Sequence, residues 1–347
     1  MGSCYAALYH PLESKWYAPE LVETVVYYRK ALAVLCKVEP TPAINQLMSM
    51  ICTNLGNQLS SQGRAFCAIP YFDQAILLDN NPVAYLSKAR NELFIADMIE
   101  DGGHKRCHYH TAAKLLDDVE PYLQYLHPEQ LEQFQNDKNL NGFKEWFHQN
   151  FEYSDFDYFD EFEEKFGSDE EALYMYWVGG NRLFLNDLND MSDSEIVYQD
   201  VFALSSFMSN INTLLTEAEE LSYHVNFDEL KNDYCYARHL MYQAFESDID
   251  DKHYYDSSFK QIESRCGVVH SLKVNHLKSS FRTFYAIFDK IGYFIHRFFD
   301  LNDISKDDKI YIDKMFKKLN SKAFKPNDKL EDGQNFFINA LFSFLMI

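Results

Sequence analysis

The sequence predicts an all-α protein. Two observations lead there: glycine and proline are scarce, 12 and 9 of 347 residues, and apolar residues recur at spacings of three and four over long stretches. Average usage is roughly 7% glycine and 5% proline, so a turn-rich β fold is disfavoured. A third observation sets the scale. The apolar share is 47% and the aromatic share 16%, ample for a large core and incompatible with a wholly disordered chain.

The first periodic stretch is residues 20–39, which ends before Pro40 and Pro42. Residues 44–62 and 65–78 form two amphipathic stretches separated by Gly63. They hold Leu55-Gly56, then Ala68, Phe72 and Ala75, followed by Asn80-Asn81-Pro82. This pattern resembles one tetratricopeptide repeat: Gly56 and Ala68 let two antiparallel helices approach, Phe72 fills the groove, and Ala75 makes room for the next repeat. Cys52 stands where such repeats usually carry a large aromatic residue. Residues 82–98 and 111–126 are helical by pattern.

Residues 151–171 contain ten acids, seven aromatics and one lysine, which reads as an acidic aromatic connector. Beyond it, Asp193–Glu220, Phe227–Ser247, Leu272–Phe299 and Lys306–Lys318 are expected as helices. The third carries Leu277, Phe281, Phe284, Tyr285, Phe288, Ile291, Ile295 and Phe298, a stripe expected in the core. The chain ends inside an apolar helical pattern, so it is expected to be truncated at the C-terminus, and its last stripe needs a partner surface. The expected domains are a helical segment at 1–43, tetratricopeptide-like helical repeats at 44–150, the connector at 151–171 and a helical domain at 172–347.

The formal net charge is −21, which disfavours non-specific nucleic-acid binding by the whole surface. The charge is unevenly spread. Between Lys252 and Lys329 stand thirteen lysines and three arginines against nine acids, a balance of +7, so the rest of the chain carries −28. A local basic surface is therefore expected. Seven cysteines, an odd number with no CxxC pair, suit a reduced cytoplasmic protein. No signal peptide and no membrane span is expected. Gly2 and Cys4 superficially suggest an acylated end, but Ala6 occupies the position where serine or threonine is wanted.

His104-Lys105-Arg106-Cys107-His108-Tyr109-His110 offers four possible zinc ligands in seven residues. No second ligand pair stands at a finger-like distance, so it reads as a polar loop leading into a helix beginning near Thr111, and no metal or other cofactor is expected. The chain has no GxxxxGK[ST], GxSxG or HExxH. Arg265 and His270 are spaced so that one helix face could carry both, with histidine moving a proton and arginine steadying a phosphorane.

Three segments then point to a family: Trp177 with Asn181–Asp190, Tyr234–Tyr242, and Leu277–Thr283 running into Phe288–Phe294. Together with the upstream repeat-like pattern, they resemble bacterial HEPN-domain proteins of the type fused to N-terminal tetratricopeptide-like repeats. The resemblance implies a HEPN-like helical bundle after the repeats. It implies a toxin–antitoxin, anti-phage defence or RNA-processing setting, and metal-independent ribonuclease activity in many members, while others only bind nucleotides or partners. It implies a site made of an arginine, four to six residues, then a histidine, on a helix downstream of Phe288–Ile295. No such pair follows Arg297; Arg265/His270 is the pair that fits, ahead of the long helix. The expected partners are a protein or peptide on the repeats, RNA or a nucleotide on the basic 252–329 region, and a second copy in a homodimer.

Overall fold

The computed structural model describes residues 1–9, 15–156, 165–191, 196–204, 217–248, 253–256, 271–299, 301, 310–317, 326–330 and 335–346. The described residues are helical, with no strand among them beyond an isolated bridge between Lys317 and Pro326. The all-α class holds. Two compact units divide the chain: Met1–Lys165 with Phe184–Phe202 and Asp332–Ile347, and Phe166–Leu183 with Ala203–Glu331.

In the first unit, α1 is Gly2–Tyr9, α2 Pro19–Leu35, α3 Pro42–Ser61, α4 Ala65–Asp79, α5 Pro82–Met98 and α6 Gly102–Asp118. Their boundaries follow from local chemistry. Thr41 caps α3 by accepting from the Ile44 N–H, with Pro42 in the first turn. Gly63, at φ 76°, turns the chain between α3 and α4. Asn80 closes α4 in the left-handed conformation, and Asn81 caps α5 with Pro82 following.

α3 and α4 pack antiparallel, as the pairing of Ser49 with Ala75 and Gly56 with Phe72 requires. A Cβ at Gly56 would stand 2.6 Å from the Phe72 ring. The close approach expected there is present, with Cys52, Leu55, Ala68, Phe72 and Ala75 all fully buried. α5 and α6 form a second antiparallel pair. α7 Pro128–Gln135 and α8 Lys138–Asn150 follow a 3-10 turn at Glu120–Tyr125.

In the second unit, α9 is Asp169–Gly180, α10 Glu217–Glu246, α11 Leu272–Phe298 and α12 Ile312–Met315. The break expected between Glu220 and Phe227 is absent. No glycine or proline interrupts Glu217–Glu246, so one helix runs through. Of the expected helix Asp193–Glu220, residues 196–204 and 217–220 are described: the former are not helical and the latter open α10. α10 and α11 form an antiparallel hairpin through Tyr234–Phe284 and Tyr223–Phe294 ring contacts, and the Ser280 hydroxyl donates to the Ala237 carbonyl at 2.8 Å.

The stripe on α11 is only partly core. Phe284, Phe288, Ile291, Ile295 and Phe298 are half-buried, whereas Leu277, Phe281 and Tyr285 are exposed. The first half of α11 meets α10 on its Ser280 side, which leaves the flank bearing Leu277, Phe281 and Tyr285 uncovered. Farther along, α12 lies over Gly292, whose added Cβ would meet the Ile312 Cα at 3.1 Å.

The last helix, α13 Phe336–Met346, belongs to the first unit. Phe342 packs edge-on against Trp16 with centroids 5.0 Å apart, and Phe337 approaches Phe94. The terminal apolar stripe therefore has a partner surface within its own chain. No helix among the described residues is long and apolar enough to cross a membrane.

Candidate functional site

Arg265 and His270, the expected catalytic pair, lie outside the described residues. Residues 157–164 of the connector 151–171, and residues 252, 257–270, 300, 302–309 and 318–325 of the basic 252–329 region, also lie outside them.

The histidine-rich segment is described, and it is not a loop. Asp101 accepts from the Gly103 and His104 N–H groups at 2.8 and 2.9 Å and starts α6 at Gly102. The helix then sends the four residues three ways. Cys107 joins an apolar cluster with Leu188 and Val197. His110 packs edge-on against Tyr153. His104 and His108, one turn apart, face Asp187 together.

His108 is fully buried between two carboxylates. Its Nδ1 donates to Glu92 Oε2 at 2.6 Å, and its Nε2 to Asp187 Oδ2 at 3.3 Å. His104 Nδ1 donates to the other Asp187 oxygen at 2.7 Å. Burial pulls the His108 ring down, yet the bonds to Asp187 and Glu92 overcome it and hold the pKa at about 9. His104 is raised by its bond to Asp187. Burial pushes the Asp187 carboxyl up, but bonds from both histidines hold it well below the usual carboxylate range. With both rings protonated, two positive charges meet two negative ones, and the buried set is neutral. Among the described residues, no three histidine, cysteine or acidic groups are arranged to hold a metal ion.

Asp187 belongs to the segment Asn181–Asp190 that carried the family resemblance. Its neighbours are structural. Asn186 donates to the Gln199 carbonyl at 3.1 Å, and Asn189 exchanges bonds of 3.0 and 2.8 Å with the Val197 backbone. The Leu185 N–H donates to Asp200 at 2.7 Å. Sequence reasoning missed Asp187 because its partners lie more than 70 residues upstream; the available signal was the i, i+4 pair His104/His108.

The other resemblance segments meet in the second unit. Arg238, 3% exposed, donates to the Leu183 carbonyl at 2.9 Å and to the Tyr174 hydroxyl at 3.0 Å. The Tyr234 hydroxyl donates to the same carbonyl. Lys290 bridges Glu229 and Asp233 nearer the surface, beside a cavity of about 350 Å³ lined by Asn226, Tyr293 and Ile310. These motifs hold helices together and, among the described residues, bring no reacting pair into one pocket.

The first unit also carries a groove. One cavity of about 570 Å³ is lined by Gln46, Met50, Asn54, Tyr122, Tyr125 and Gln130, among others. A second of about 570 Å³ shares Val83 with it and runs past Asn57, Ser87 and Arg90. α3 and the start of α5 line both cavities, with Tyr122, Tyr125 and Gln130 closing the first, and the lining is mainly carboxamide, hydroxyl and aromatic. Such a surface can hold an extended chain by hydrogen bonds to its backbone.

No curated protein and no solved structure matches the chain. Residues 214–345 match the family described as LA2681-like HEPN, and this stretch of the chain is a HEPN domain of that kind.

Proposed function

We propose that the chain is a HEPN-type protein of a bacterial defence or toxin–antitoxin system, whose first unit binds a protein or peptide partner and whose basic 252–329 region binds RNA or a nucleotide. The observation that carries this reading is the family match over residues 214–345. Partner binding is supported by the paired antiparallel helices, read as tetratricopeptide-like, and by the polar groove along α3 and α5. RNA binding is supported by the +7 balance of the basic region in a chain of −21. On this reading the domain also serves as the contact for a homodimer.

The reading is binding without cleavage. Within the matched residues the arginine–histidine spacing of the family occurs once, at Arg265/His270, and it precedes α11 where the family places its pair after it. A second reading is favoured by that same pair lying inside the match: a metal-independent endoribonuclease. His270 would take the proton from a ribose 2′-OH as that oxygen attacks the adjacent phosphate. Arg265 would steady the charge, and the 5′-oxygen would leave with the proton that His270 had taken.

The two readings separate on incubating the full chain with RNA in chelator. The first predicts intact RNA; cleavage indifferent to Arg265→Ala and His270→Ala contradicts both readings. Cleavage lost in both variants establishes the second.

A further inference from the structure

We infer that the outward face of α11 between Leu277 and Tyr285 is a stacking platform for single-stranded RNA. The inference deepens the reading of the basic region as an RNA surface and rests on it. Phe281 is 70% exposed and Tyr285 61%, and Leu277 precedes them by one turn. Phe281 and Tyr285 are in ring contact, and a contiguous exposed apolar patch marks an interaction site where scattered single residues do not. Residues 277, 281 and 285 rise about 6 Å per step and form one column along the helix. The Phe281 and Tyr285 centroids are 6.4 Å apart and their planes 27° from parallel.

Cations border the rings. A helix turns about 100° per residue, so Lys278 and Arg282 form a second column beside the first. Both are exposed, and neither is ion-paired among the described residues. Next around the helix comes Asn275, which donates to the Tyr255 hydroxyl at 2.7 Å and so places a further exposed ring beyond the cations. From Leu272 to Phe288 the helix holds Lys273, His276, Lys278 and Arg282 and no acidic residue.

The charge decides the occupant. A twofold contact that packs two copies of α11 antiparallel through this face would set the Lys278 and Arg282 column of one copy along that of the other, which is unfavourable. A single RNA strand supplies phosphates to the cation column and bases to the rings. This is the combination by which proteins hold single strands without reading their sequence.

The test uses the full chain and a fluorescent oligouridine, read by anisotropy across a salt series. Phe281→Ala and Tyr285→Ala should each weaken binding about tenfold and leave the salt slope unchanged. Lys278→Gln and Arg282→Gln should each lower that slope by about 0.7. Phe281→Tyr keeps a stacking ring and should retain binding, which separates stacking from any loss of fold.

If the wild type binds and both alanine variants bind equally well, the platform is wrong while the RNA reading of the domain stands. If the wild type binds no RNA, both fall. Tighter binding of the matching DNA strand overturns the assignment to RNA. A wild-type dimer that becomes monomeric in Phe281→Ala with RNA binding unchanged assigns the face to a second copy instead.

Discussion

The two units handle their unusual residues in opposite ways. The first buries charge: Glu92 and His108 have no solvent exposure, and Asp187 nearly none. The second exposes rings: Phe281 and Tyr285 stand open on α11. It also repeats the motif of a cation between two carboxylates, but Lys290, Glu229 and Asp233 lie near the surface. The same pairing thus serves two purposes. In the first unit it clasps the segment Phe184–Phe202 to α5 and α6, because a buried charge without its partner is strongly unfavourable. In the second it decorates a helix pair that ring packing already holds.

The largest effect should come from breaking the buried set. Asp187→Ala leaves two histidines without their shared acceptor and should cost about 3–5 kcal/mol, measured by urea unfolding. Next comes the close approach in the same unit. Gly56→Ala drives a methyl into the Phe72 ring and should cost about 1–3 kcal/mol by the same assay. A cost near zero would mean that α3 and α4 are not in tight contact.

The pH dependence sharpens the contrast further. His108 has its pKa raised to about 9, so its contribution is complete below its unfolded value of about 6.5 and is lost as pH rises toward 9. Asp187 is held low, so its contribution is present above about pH 4 and is lost in stronger acid. The urea midpoint of the wild type should fall between pH 6.5 and 9, and His108→Gln should flatten that fall. A wild-type profile that is flat over this window contradicts the clasp. The smallest effect belongs to the exposed counterpart. Lys290→Ala should cost no more than about 1 kcal/mol and less in high salt, and a loss as large as that of Asp187→Ala would erase the distinction between the units.

Much of the fold was legible because its signals are local. Gly56, Gly63 and Phe72 mark the α3–α4 pair within 17 residues, and the periodicity of Leu272–Phe298 gives α11 to within one residue. The histidine segment misled because polar residues weaken the amphipathic pattern. The start of α6 depends on the Asp101 cap, and its histidines are tolerated only because Asp187 and Glu92 receive them. Asp187 lies 83 residues from His104, a distance no periodicity reports. The α11 stripe was over-read for a related reason. Spacing shows that a helix has an apolar flank, but the number of neighbours decides how much of that flank is covered.

The proposed RNA contact of the second unit lies on the open face of α11. Photocrosslinking of the full chain to an oligouridine carrying thiouridine, with the attached peptides read by mass spectrometry, tests this most directly. Crosslinks are expected within residues 272–288, concentrated at Phe281 and Tyr285. Crosslinks confined to the groove along α3 and α5, or RNA bound with none in 272–288, would contradict it.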